Sequence, residues 1–138
     1  MENYRNDTEK NAVKQLPLSV CVMYHEGDAH FLQKCINSLP KGVEICLQQN
    51  VKTSNLNEIG YSNLETEDFG ETTLKKSKYV MHESLFSFAE CRNKNIRMAS
   101  REWIMFIDPD EVLWYTPHHF EMLQSMPEEI CGIARSEE

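Results

Sequence analysis

Trp103-Ile104-Met105-Phe106-Ile107-Asp108-Pro109-Asp110-Glu111 is the stretch that decides how this chain is read. Consecutive apolar residues, aromatic and β-branched among them, stop abruptly at three carboxylates set around a proline. A short unbroken apolar run predicts a central strand buried on both faces, as parallel strands are. The abrupt change of polarity puts Asp108, Asp110 and Glu111 at the carboxyl end of that strand. In open α/β sheets, ligands bind at this end, near a reversal of strand order.

The flanking sequence supplies the rest of such a sheet. Ser87-Phe88-Ala89-Glu90 has the form of a capping box and predicts a helix running to about Ser100, with Phe88, Ala89, Ile96 and Ala99 on its buried side. Lys78 to His82 predicts a short strand before it. At the other end of the chain, Leu16 to Tyr24 is a compact apolar run and predicts a buried strand. His25 to Asp28 is a polar loop, with Asp28 suited to cap a helix. Phe31, Leu32, Cys35, Ile36 and Leu39 then recur at helical spacing until Pro40 and Gly42. Val43, Ile45 and Leu47 alternate with Glu44 and Cys46 and predict a second strand.

Strand, helix and strand with short connections predict a right-handed parallel unit. Gln48 to Glu71, rich in Asn, Ser, Thr and Glu, reads as a loop excursion holding a short hairpin or a turn of helix. Beyond the acidic turn, Thr116-Pro117 starts a helix with Phe120, Leu123 and Met126 facing inward, and Ile130 to Ala134 forms a last strand. The prediction is therefore an α/β domain over residues 16–138, with a mostly parallel sheet flanked by helices and a polar arm over residues 1–15.

Composition narrows the class. The chain has 138 residues, enough for one ordinary domain with its own core. Its net charge of −8 argues against binding the nucleic acid backbone, which rewards basic surfaces. Such a protein can still bind a phosphorylated ligand through a bridging divalent cation. Cys21, Cys35, Cys46, Cys91 and Cys131 are odd in number and contain no C-x-x-C pair, which opposes both a disulfide framework and a zinc ribbon. They read as buried thiols of a cytoplasmic protein. The first residues lack the apolar core of a signal peptide, and no apolar run approaches the length of a membrane span.

Three carboxylates in one turn raise one another's pKa unless a cation sits among them. Mg²⁺ takes one or two protein carboxylates and completes its shell with phosphate oxygens and water. Asp108-x-Asp110-Glu111 is therefore a candidate site for a hard divalent cation such as Mg²⁺. The tetrapeptide alone also reads as a solvated turn that ends a strand.

The longer pattern is more specific. Phe88, then Arg92-Asn93, an amphipathic helix, and Trp103-Ile104-Met105-Phe106-Ile107-Asp108-Pro109-Asp110-Glu111 together resemble the family 2 glycosyltransferases. Leu18 to Met23 and the helix ending in Cys35-Ile36-Asn37-Ser38-Leu39 resemble the family's first strand and helix. The matching segments cover roughly residues 17–47 and 78–114. The resemblance implies a GT-A-like fold, a nucleotide-sugar donor, Mn²⁺ or Mg²⁺, and inverting transfer to an unknown acceptor. It implies that Asp108 contacts the nucleoside and helps place the metal, that Asp110 is the direct ligand, and that Arg92 and Asn93 face the nucleotide. Tyr24, His25 and Glu26 would form the loop that meets the nucleoside.

Where the family carries an aspartate after its second strand, this chain reads Leu47-Gln48-Gln49-Asn50-Val51, so Gln49 or Asn50 would serve as a neutral hydrogen-bonding group. The sequence ends at Glu138, before the family's usual acceptor site and general base. The expectation is thus a truncated domain carrying the donor half, with a second copy of the chain or another protein completing the site. His118 and His119 are the candidates for a base, because imidazole titrates near neutrality. A different class of function is a degenerate, non-catalytic module of the same fold that binds a nucleotide, a glycan or a protein.

Overall fold

The computed structural model describes residues 15–62 and 64–115. The predicted arm, the helix from Thr116, the strand at Ile130 to Ala134, Cys131, and both candidate bases, His118 and His119, lie outside the described residues.

The described residues form an α/β structure with a mixed, mostly parallel sheet and two flanking helices. It opens with β1 (Leu18–Tyr24), a 3₁₀ turn at Glu26–Asp28, α1 (Ala29–Asn37) and β2 (Glu44–Thr53). A 3₁₀ turn at Leu56–Glu58 leads to β3 (Gly60–Tyr61), β4 (Glu65–Phe69) and β5 (Thr72–His82). Another turn at Glu83–Leu85 precedes α2 (Phe88–Arg97) and β6 (Trp103–Phe106). β5, β2, β1 and β6 lie side by side in that order, all parallel. The chain therefore steps outward from β1 to β2 to β5 and then crosses back to place β6 on the far side of β1. That reversal opens a crevice at the carboxyl ends of β1 and β6.

The two faces of the sheet follow from period-two alternation. Leu18, Val20 and Val22 of β1, with Val43, Ile45 and Leu47, share one core with Cys35 and Leu39 of the α1 segment. Met105, Ile107 and Leu113 complete it. The alternate residues pack against α2. Cys21, Cys46 and Met98 form a second, smaller core there, and buried Ser19, Glu44, Gln48 and Asn95 accompany it.

Several expectations need correction. The interior strands are β2 and β1, and β1, between β2 and β6, has Leu18 to Val22 all buried. β6 pairs only with β1 among the described residues, and Ile104 is 38% exposed. A run of apolar residues marks burial but cannot assign lateral position in a sheet. α2 buries Cys91, Asn95 and Met98, whereas Phe88 and Ala89 are exposed and Ile96 and Ala99 are half-buried. Asp28 holds the N-cap position of α1 without capping it. Its carboxylate instead accepts the His25 N–H at 3.1 Å and lies 3.3 Å from His25 Nε2.

The predicted excursion from Gln48 to Glu71 is mostly strand. β2 runs on to Thr53, paired throughout with β5, which begins at Thr72 rather than Lys78. β3 and β4 add antiparallel to the outer edge of β5. Gly70, at φ 72°, closes the β4–β5 turn in a conformation that side chains resist. The polar composition hid this ribbon because β4 is exposed along its whole length.

Candidate functional site

A cleft of about 670 Å³ opens at the carboxyl ends of the parallel strands, within the usual range for a small-molecule site. Cys21, Met23 and Tyr24 enter it from β1, and the His25–Asp28 loop follows. Gln49, Asn50, Val51 and Lys52 come from the end of β2. Phe86, Phe88, Arg92 and Asn95 come from the start of α2, and Phe106 to Pro109 from the end of β6. Segments remote in sequence thus converge where the strand order reverses.

One wall is acidic and belongs to the α1 side. Glu26 and Asp28 immediately precede α1, and the Asp108 carbonyl accepts the Cys35 thiol of α1 at 3.6 Å. The acidic turn is internally braced. Glu111 N–H donates to the Asp108 carbonyl at 3.0 Å, and buried Glu111 accepts the Asp108 N–H at 2.8 Å. Burial, reinforced by the charges of Glu111, Asp108 and Asp110, pushes the Cys35 thiol up to about 12. In the loop before α1, His25 Nδ1 accepts the Gly27 N–H at 3.0 Å, so the imidazole is held by backbone and by Asp28.

The other wall is cationic and aromatic and belongs to the α2 side. Arg92 lies over the Phe106 ring at 4.7 Å and within 6.0 Å of Phe88. Lys52 Nζ lies over the Phe86 ring at 4.6 Å. The floor between the walls is neutral. Asn95 donates to the Cys46 carbonyl at 3.1 Å, which fixes its amide, and among the described residues its buried Oδ1 has no hydrogen-bond partner. Gln48, outside the lining, donates to Asn50 and to the Cys91 carbonyl, both at 2.8 Å, and its buried Oε1 has no hydrogen-bond partner among the described residues. Burial also raises the pKa of the Tyr24 phenol.

Of the residues expected from the sequence, Tyr24, His25, Glu26, Arg92 and Asp108 line this one cleft. Asn93 and Asp110 are exposed and lie outside its lining. Gln49 and Asn50 do line it, at the position where the resemblance placed a neutral substitute. Sequence reasoning missed Lys52, Phe86 and Asn95. Lys52 sat inside the supposed loop excursion, and only the pairing of β2 with β5 carries it to the cleft.

Among the described residues, no three His, Cys, Asp or Glu side chains gather to hold a metal by themselves. With Glu111 committed to the turn, Asp108 and Asp110 suit a cation that draws most of its shell from water and phosphate, as Mg²⁺ does. No helix among the described residues is long and apolar enough to cross a membrane. No protein-family model, no curated protein and no solved structure matches the chain.

Proposed function

We propose that this chain binds a nucleotide-sugar donor in the cleft and acts as a GT-A-like, inverting glycosyltransferase. One observation carries the reading: the strand-order reversal brings Tyr24, His25, Glu26, Arg92 and Asp108, from three separate segments, into one cleft. The loop after β1 would meet the nucleoside, with Tyr24 at its base. Arg92, stacked and preorganised, would take the nucleotide. Mn²⁺ or Mg²⁺, when bound, would be held by Asp108 and Asp110 and would supply Lewis-acid neutralisation of the diphosphate. In the transfer, the acceptor hydroxyl oxygen bonds to the anomeric carbon as the nucleoside diphosphate leaves, and a base takes the hydroxyl proton. His118 or His119 would be that base. The acceptor is unassigned, a second copy of the chain would help to enclose it, and the cytoplasm is the proposed setting.

A thermal-shift screen of nucleoside diphosphates and nucleotide-sugars, with and without Mn²⁺, tests the reading. A ligand at a hundred times its Kd adds about 2.7 kcal/mol to the folded state. The Mn²⁺-dependent part of that gain should vanish in Asp110→Asn while the unliganded Tm stays put. Equal Mn²⁺-dependent gains in both proteins would remove Asp110 from the site. The neutral pair Gln49 and Asn50 favours a second reading, a module that binds the donor without transfer. Donor binding with no sugar release over hours would select it.

A further inference from the structure

The cationic wall of the cleft does more than the acidic turn alone can do. Lys52 and Arg92 come from different segments, the end of β2 and α2, yet both line the same cleft. Each is seated on a ring contributed by the same wall: Phe86 under Lys52 at 4.6 Å, Phe106 under Arg92 at 4.7 Å. Among the described residues neither has a carboxylate partner within ion-pair distance, although Asp and Glu outnumber Lys and Arg by 22 to 14 in the chain. Stacking matters here because a ring satisfies one face of a cation and leaves its N–H donors pointing elsewhere. It also restricts two long side chains beforehand, which lowers the entropic cost of binding. The acidic groups of the lining, Glu26, Asp28 and Asp108, lie in the loops after β1 and β6, on the α1 side. The lining therefore carries both signs of charge, the cations on the β2 and α2 segments and the carboxylates in the loops after β1 and β6.

We propose that Lys52 and Arg92 form a two-point receptor for the diphosphate of the ligand, sufficient to hold it without a divalent cation. Charge-assisted hydrogen bonds from an ammonium and a guanidinium fork match phosphate oxygens directly. Metal at Asp108 then adds to this binding and is not its precondition. The inference rests on reading the cleft as a nucleoside diphosphate site, and it assigns Lys52 a binding role.

The test is isothermal titration of the full chain with inorganic pyrophosphate and with UDP and GDP, in EDTA and in Mn²⁺. Lys52→Met and Arg92→Met are compared with Lys34→Met, which removes the same charge from the exposed surface of α1. Far-UV circular dichroism confirms that each variant is folded, and both cleft cations are exposed, so neither change disturbs the core. Pyrophosphate should bind in EDTA, with affinity lowered about ten-fold or more by each cleft substitution. Lys34→Met should leave it unchanged. Binding of pyrophosphate and nucleotides only with Mn²⁺ would overturn the receptor and leave the nucleotide reading standing. Undiminished binding by Lys52→Met would overturn it as well. No binding of any of the three ligands under either condition would sink both readings together.

Discussion

The two faces of the sheet share one backbone and differ in chemistry. Toward α1 the side chains are aliphatic, Leu18, Val20, Val22, Val43, Ile45 and Leu47, and they form a dry core. Toward α2 the same strands present Ser19, Cys21, Glu44, Cys46 and Gln48, nearly all of them fully buried. This second face is polar along its length, and its two ends are resolved differently. At the amino ends, Glu44 accepts from Ser19 Oγ at 2.7 Å, Ser100 N at 2.7 Å and Ser100 Oγ at 2.5 Å, and pairs with Lys75 at 2.9 Å. Arg101 ties the same end together through the Leu16 and Gly42 carbonyls. Toward the carboxyl ends, Gln48 Oε1 and Asn95 Oδ1 find no partner among the described residues. A buried acceptor left unsatisfied costs about 1–3 kcal/mol. The saturated end holds the structure, and the unsaturated end lies where the cleft opens.

The largest expected effect breaks the saturated end. Glu44→Ala leaves buried Ser19 without its acceptor and takes the carboxylate from half-buried Lys75, which keeps the Met98 carbonyl at 2.9 Å, and breaking a buried ion pair costs up to about 3–5 kcal/mol. Replacing both partners, Glu44→Met with Lys75→Met, should recover most of that loss, because apolar pairs of similar volume substitute well for buried ions. Urea denaturation of the two variants decides it. A loss below about 1 kcal/mol in Glu44→Ala would mean that the polar face carries no more weight than surface polarity does.

Acid probes the same group without mutation. Burial by itself would raise the Glu44 pKa, but hydrogen bonds from Ser100, Ser19 and Lys75 outweigh it and lower the value from 4.5 to about 2. A carboxyl whose folded pKa is depressed gives stability that is present above its unfolded pKa and lost as pH falls through its folded one. The contribution should therefore fade between about 4.5 and about 2. At about 1.4 kcal/mol per unit, it amounts to ~3 kcal/mol. Glu44→Gln should flatten the stability profile across that window, and an unchanged acid slope in the variant would place the sensitivity elsewhere.

The smallest effect concerns how α2 is started on the polar face. Ser87 Oγ accepts the Glu90 N–H at 3.2 Å, and the Glu90 carboxylate accepts the Tyr79 hydroxyl at 3.3 Å. Ser87→Ala should cost about 1 kcal/mol in urea denaturation. It should also weaken pyrophosphate binding slightly, since the first turns of α2 carry Phe88 and Arg92. A full cap loss with no change in binding would separate helix stability from the cationic wall.

Much of this was written locally. LSVCVMY and VEICLQQ each alternate aliphatic residues with small or polar ones, so both faces of β1 and β2 are visible in the sequence. Ser87 was legible as a cap because its partner lies three residues away. The strand ending at Asp108 and the convergence of Tyr24 and Arg92 also followed from local pattern and resemblance. What stayed hidden depended on partners far along the chain. Glu44 was visible only as a polar member of an alternating strand, and it is 3% exposed because Ser19, Lys75 and Ser100 meet it from three other segments. The ribbon of β3 and β4 was visible only as a loop excursion with a short hairpin or a turn of helix, because an exposed edge strand needs no apolar signature.

The sequence by itself determined which segments are strand or helix at β1, α1, β2, α2 and β6, and where the acidic turn falls. Those features arise from side-chain periodicity and capping, which act over a few residues. Tertiary structure alone decided the order of the strands, and with it the interior place of β1 between β2 and β6, the burial of Glu44 and the arrival of Lys52 in the same cleft as Arg92. Lateral order is set by which nonlocal pairings close the sheet, and no short stretch of sequence contains both members of such a pair.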